Sequence, residues 1–414
     1  MKVPKALTSF LTFMPNQPLS WLACVTFVLG FYIGPAVLSV SMMVLLGNAL
    51  LNKNVKQIIT DTLHDRTALL FAGFFAFYAL SFFWSEDKVY YATRVQLLLP
   101  FFVLPLAFRA IEWNRSFYTS FTFIFLSVIL LAISWSLYAY AQDMEAINAS
   151  YESAKTLPTP FHHIHFGLCV VLALSQLPTV LPPKGTQAVL RNGLLATAAF
   201  FMLYLHVLAA KTPLISLYIL IIYWIVRWLR QSRSYLLGGS ILVGLMALPF
   251  MMYQLSGSFH NKVDYTIKSF KRVQKDTMEV RYSDEGRLLS YGVALDVAKR
   301  YPLLGVGVGD SYNEMENEYA RQEMVTPKVL LPHNQFLFIL LSLGGLGLLY
   351  FLYILYWLFK KYYGKEPVLS SFLLLFMVPL MVEAYLDTQE GIAIFLFFFL
   401  FLKRRAELQT EKRL

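Results

Sequence analysis

Residues 116–141 read SFYTSFTFIFLSVILLAISWSLYAYA, twenty-six positions without one charged side chain. A helix rises about 1.5 Å per residue, and about 20 mostly apolar residues cross the ~30 Å hydrocarbon core of a bilayer. This stretch is therefore read as a membrane-spanning helix. Working outward on the same criterion, further apolar runs lie at 18–33, 35–52, 67–85, 92–110, 161–181, 190–209, 212–229, 234–253, 333–359, 367–385 and 388–402, twelve in all. Gly34-Pro35 separates the first two. Together they are too long for one span, so they are read as a hairpin. Lys2 and Lys5 precede the first run with no small-residue cleavage site after it, and the expectation is a retained first helix.

Composition agrees. Hydrophobic types make up 57% of the 414 residues and charged types 14%, with a mean hydropathy of +0.55. Soluble domains carry about 25% charged residues, so a soluble enzyme, a disordered chain and a nucleic-acid-binding domain are all excluded. The net charge of +10 follows topology. With the N-terminus inside, short inside segments hold 20 Lys and Arg and short outside segments only 4, which are Lys88, Arg94, Lys155 and Lys211. Basic residues concentrate in cytoplasmic loops, so both termini are expected in the cytoplasm. Cys24 and Cys169 both lie in apolar runs, which leaves no disulfide framework and no cysteine metal site.

The fold class expected is all-α: a polytopic transmembrane bundle of about 12 helices. Residues 1–253 carry helices one to nine, 254–332 form one large, mostly helical extracytoplasmic loop, and 333–414 carry helices ten to twelve with a short basic tail. The loop holds 11 basic and 11 acidic residues. Val263, Ile267, Phe270 and Val273 recur at helical spacing, as do apolar positions in 285–300 before the Tyr301-Pro302 stop. A short helix is expected at 311–323. An ordered outer loop is a common seat of function; the alternative is a cap that closes the bundle. No fixed-period repeat is present.

Ionisable groups at membrane depth are costly and mark function by default. They gather at the outer ends of the runs: Arg94, Lys211, His162, His163, His165, His333 and Asn334. Glu383, Asp387 and Glu390 lie there too and are read as helix ends in water. Among the histidines only His162 and His165 share a helical face, with no further ligand, so a wall of a polar cavity is preferred to a metal site. His206 reads as a satisfied interior histidine. Gly305, Gly307 and Gly309 lack the preceding strand of a dinucleotide motif and read as a flexible turn.

Three segments carry a resemblance. Arg287–Leu295 (RLLSYGVAL), Tyr301–Asp310 (YPLLGVGVGD) and Pro332–Leu348 (PHNQFLFILLSLGGLGL) together resemble the O-antigen ligase and O-antigen polymerase superfamily, bacterial membrane glycosyltransferases of GT-C type. Weaker likeness extends to Leu104-Pro105-Leu106, to the histidine-rich start of the sixth run and to Asp387–Gly391. The chain departs from the family in carrying Lys211 where members often have Arg, and Ser342-Leu343-Gly344 where Glu-x-Gly is frequent. The resemblance implies transfer of a glycan from an undecaprenyl-diphosphate donor to an acceptor hydroxyl, lipid A-core oligosaccharide first among acceptors, at the periplasmic face of the inner membrane. It implies inversion at the anomeric carbon. A polymerase, a protein O-oligosaccharyltransferase and, in another class, a lipid-linked sugar flippase are the alternatives. On this reading His333 is the base and Arg287 a second catalytic residue. Lys211, Arg287 and Arg94 hold the diphosphate, while Asn334, His162, His163 and His165 line the acceptor cavity. With no Asp-x-Asp motif, no metal and no cofactor are expected, and the partners are lipid-linked glycan, acceptor and membrane lipid, not nucleic acid.

Overall fold

The computed structural model describes residues 18–150, 156–273, 283–324 and 329–411. Lys2, Lys5, Lys155 and Arg281 lie outside these, as does the expectation of a retained N-terminal segment. All described regular structure is helical. In chain order the helices are α1 (Pro18–Ile33), α2 (Pro35–Leu50), α3 (Val55–His64), α4 (Arg66–Leu80), α5 (Lys88–Arg109), α6 (Arg115–Gln142), α7 (Met144–Ser150), α8 (His163–Val180), α9 (Ala188–Leu208), α10 (Lys211–Ser232), α11 (Tyr235–Leu255), α12 (Gly257–Val273), α13 (Ser283–Arg300), α14 (Ser311–Arg321), α15 (Gln335–Tyr362), α16 (Pro367–Val382) and α17 (Gln389–Glu411).

Every one of the twelve apolar runs is a helix, but among the described residues only eight are long and apolar enough to cross a membrane. A ninth is possible by these criteria if α2 and α3, which meet at a bend of 109°, count as one broken span. The count of about twelve is thus not met by length and composition. At 16 residues each, α1, α2 and α16 extend about 24 Å, short of the ~30 Å core. α17 has only a short uncharged stretch before Lys403, Arg404 and Arg405. That stretch is apolar on all sides, and a helix of this kind belongs in the middle of a bundle. Ile392–Leu402 is buried throughout, with Phe395, Phe397, Phe398, Phe399 and Phe401 stacking against rings from α1, α4, α5, α6 and α16.

Side chains from the preceding loops start several helices. Asp65 accepts from Thr67 N at 3.0 Å, Asp87 from Tyr90 N at 2.9 Å, and Asn114 from Phe117 N at 2.8 Å. Each satisfies an amide that the first helical turn leaves orphaned.

Between α11 and α15 the chain builds α12, α13 and α14, the helices expected at 263–273, 285–300 and 311–323. While Phe259 of α12 belongs to the main core, α13 and α14 enclose a second, small core of Val293, Ala294, Val297, Val306, Met315, Tyr319 and Leu341. This core is joined to α15 through main-chain atoms. Gly344 has φ +66° and breaks α15 internally. Into the opening docks the Tyr301–Gly309 segment: Val306 N donates to Leu341 O at 2.9 Å, Gly307 N to Ser342 O at 3.0 Å, and Gly345 N to Pro302 O at 2.8 Å. A Cβ on Gly344 would stand 2.3 Å from Leu303 O, and one on Gly305 would stand 2.5 Å from Gly344 N. The glycine stretch is accordingly no flexible turn but a close backbone-to-backbone joint. It is no phosphate cradle either, because the amides of Val306, Gly307 and Gly309 already donate to Leu341 O, Ser342 O and Ser85 Oγ.

The break also explains the length of α15. Its 28 residues run about 42 Å along the axis, beside partners of 15 and 16 residues. Residues 345–362 pair with α4, as Phe77 with Tyr350 and Thr67 with Tyr362. Residues 335–343 are left as a separate arm carrying His333 and Asn334 at its head.

Candidate active site

The head of that arm is fixed by Asn334. Its Oδ1 accepts from Phe336 N at 2.9 Å and Leu337 N at 3.0 Å, and its Nδ2 donates to Met381 O at 2.8 Å. Tyr291 on α13 donates to the His333 carbonyl at 2.6 Å. The start of α15, the end of α16 and the middle of α13 are thereby pinned together. Asn334, expected to line an acceptor cavity, has its amide committed to this pinning.

Glu383, the residue after α16, sits at the convergence. His333 Nδ1 lies 2.7 Å from Glu383 Oε2, and Arg287 Nη2 donates to Glu383 Oε1. The carboxyl is 16% exposed and His333 is 40% exposed. The reading of Glu383 as a helix end in water is therefore corrected, since a carboxylate withdrawn from water needs partners and this one has a guanidinium and an imidazole. Arg287 Nε has no hydrogen-bond partner among the described residues.

His162 caps α8 nearby. Burial pulls its pKa below the usual imidazole value, an effect opposed by Glu383 and Glu390 and reinforced by Arg287 and His333. Its ring lies 4.7 Å from His163 and 5.1 Å from His165, centroid to centroid. His165, one turn deeper, is buried edge-on to Tyr385 at 4.9 Å. It faces the bundle interior, away from the open side of the cluster. Among the described residues no group of three His, Cys, Asp or Glu side chains is arranged to hold a metal ion.

Lys211 opens α10 at the same end. Pro213 covers Gly167 of α8, where an added Cβ would meet it at 2.5 Å. Ser216 donates to Leu375 O at 3.2 Å while Tyr223 stands by Ser370, so α10 and α16 run antiparallel. Five residues before Ser216, about 7.5 Å along the axis, Lys211 is at the level of the last turn of α16, just before Glu383.

Arg94 belongs to a different pair. Its Nη1 lies 2.8 Å from Asp387 Oδ2, and its guanidinium stacks 4.4 Å over the Tyr90 ring. Asp387 is 9% exposed, so it too is no helix end in water. Burial raises its carboxyl to about 7, against the pull of Arg94. His206 has both ring nitrogens partnered, with Met202 O and Tyr218 OH each at 2.8 Å, as an interior histidine requires.

Residues 194–352 match the family model described as O-antigen ligase. This stretch is similar to an O-antigen ligase domain. It contains Lys211, Arg287, His333 and Asn334, while Arg94, the α8 histidines and Glu383 lie outside it. No curated protein matches the chain. This similarity and the eight long apolar helices among the described residues fit a bacterial multi-pass membrane protein, and the similarity supports a function of O-antigen ligase or polymerase type. No local pattern around Glu383 marks its meeting with Arg287, 96 positions away.

Proposed function

We propose that this protein transfers a glycan from a polyprenyl-diphosphate donor to an acceptor hydroxyl at the outer face of the bacterial inner membrane, with lipid A-core oligosaccharide as the acceptor. The observation that carries this reading is the bridge from Arg287 through Glu383 to His333 at one end of the bundle. With Nδ1–H directed at Glu383, the imidazole keeps its Nε2 lone pair for the acceptor, since the bond made by one ring nitrogen sets the role of the other. The acceptor oxygen attacks the anomeric carbon and its proton passes to His333 Nε2. The bond from that carbon to the diphosphate oxygen breaks, with inversion. The leaving polyprenyl diphosphate is an anion, and cations fixed where that charge develops lower the barrier. Arg287 carries its charge beside His333 on the shared Glu383 carboxylate, and Lys211 stands at the same level. His162, kept neutral by burial, serves as a hydrogen-bonding wall for the acceptor, with His163 beside it. Arg94 acts at one remove, by holding Asp387.

The charge asymmetry supports an outward-facing 254–332 segment and cytoplasmic termini. A flippase would need its phosphate clamp to be reachable from both faces, whereas these groups gather at one end. Reconstitution with a lipid-linked glycan tests the reading, offering lipid A-core, free glycan and peptide separately. Product on lipid A-core supports the ligase, product on glycan the polymerase, and product on peptide the protein transferase. Transbilayer movement of the donor with no product would overturn all three.

A further inference from the structure

A cavity of about 610 Å³ opens on the far side of the glycine joint. It lies between the α4–α5 connection (Trp84, Glu86), the Tyr301–Val306 segment and one face of α14. Its volume is that of a small-molecule site, for which ~300–1,000 Å³ is usual. Nothing in the proposed reaction uses it.

Its lining has a definite chemistry. Trp84 and Tyr301 offer flat aromatic faces, with polar groups beside them: Glu86, and Asn313, Glu314 and Asn317 from α14. Asn317 is four residues after Asn313 and three after Glu314, so it neighbours both on one side of α14. The Asn313 and Asn317 amides and the Glu86 carboxylate make no side-chain hydrogen bond among the described residues. Glu314 is 4.0 Å from Arg300, whose guanidinium is taken up by Glu318 at 2.8 Å. The indole N–H of Trp84 is shielded from water and has no acceptor. Asp310 plays another part: its two oxygens accept from Glu86 N at 2.7 Å and Asp87 N at 2.8 Å, which holds the wall in place.

Aromatic faces accept the C–H faces of a sugar ring. Amides donate and accept, and carboxylates accept only, so together they satisfy hydroxyls. No Lys or Arg lines the cavity, and the Glu86 carboxylate repels anions. We propose that this cavity is a saccharide-binding subsite for neutral, hydroxyl-rich pyranose units of a glycan chain. Between it and His333 lies the arm 335–343, about 13.5 Å of helix. The subsite therefore holds sugars some units removed from the reacting end. The inference rests on the glycosyl-transfer reading and adds a place where the chain, rather than its diphosphate, is recognised.

The test separates the two. Full-length purified protein in nanodiscs is titrated, with no donor lipid present, with two labelled probes from the source bacterium's lipopolysaccharide: the released O-polysaccharide and the core oligosaccharide. Binding of the first assigns the cavity to the donor glycan, and binding of the second to the acceptor. Asn313→Ala, Glu314→Gln and Asn317→Ala change surface side chains and leave the fold intact by thermal unfolding. Together they weaken binding of that probe by tenfold or more, about the loss of two hydrogen bonds. In transfer assays they raise KM for long glycans and leave kcat unchanged. Wild-type binding in the triple variant, or no binding of either probe, overturns the subsite while leaving the transfer reading intact. Binding lost in the variant, from a protein that never transfers glycan, sustains the subsite and overturns the transfer reading.

Discussion

Two charge clusters stand at opposite ends of the bundle. At the end where α4 begins and α15 finishes, Asp65 accepts from Thr67 N with one oxygen and from Lys403 with the other. Lys403 also meets Glu407 at 3.0 Å, and Glu407 meets Arg404 at 2.8 Å. Lys403 is only 7% exposed, and each charge along this chain faces an opposite one. At the other end, a single carboxylate serves both Arg287 and His333. There the Nε2 of His333, on a side chain 40% exposed, makes no hydrogen bond among the described residues. A closed network of buried charges holds helices in register. A network with a spare imidazole nitrogen on its open side is prepared for something that arrives.

That contrast is breakable. The largest expected effect is on catalysis: His333→Ala should cut transfer by about 10²–10⁴, the usual worth of a positioned base, while leaving the unfolding temperature in detergent unchanged. Asp65→Ala should do the reverse, costing roughly 1–3 kcal/mol because it leaves the buried Lys403 with Glu407 alone and removes the cap on Thr67 N, with the rate per folded molecule preserved. If the two variants exchanged phenotypes, the distinction between the ends would be void. Next come the charges facing the diphosphate. Arg287→Ala and Lys211→Ala should each slow turnover roughly ten- to a hundredfold, from ~1.5–3 kcal/mol per charge-assisted contact. Lys211→Arg should keep or raise the rate, and intact donor affinity in both alanine variants would remove them from the donor site. Glu383→Gln keeps the hydrogen-bonding shape and loses the charge, so a fall of about tenfold is expected in single-turnover rate. The smallest effect is in pH. Burial raises the Asp65 carboxyl, but Lys403 and the Thr67 amide more than reverse this and hold it below its ordinary value. Its contribution to stability is therefore present above the unfolded-state pKa of about 4 and disappears as pH falls through the lower folded value. Unfolding curves of the wild type and Asp65→Asn should converge below that range; a gap that persists would discount the pair.

Helix-forming apolar runs and the three helices between α11 and α15 were legible because each depends on local composition and periodicity. α3 was missed because it is short and polar, with only Ile58 buried. The glycine joint was misread because φ +67° at Gly305 and φ +66° at Gly344 make sense only as a pair, 39 positions apart in the chain. His333 and Arg287 stood out through a local motif. Their partner Glu383 did not, since nothing in the sequence around it distinguishes a carboxylate that meets a cation from one that meets water.

The glycine joint also bears on how such a protein diversifies. Val306, Gly307 and Gly345 are held by amide and carbonyl groups that every residue possesses, so side chains along the joint are free to vary once the glycines are kept. Drift on the exposed face of α14 would alter which sugars are welcomed without displacing Arg287 or His333. One lineage could thereby follow a changing surface polysaccharide while the reacting groups stay where they are.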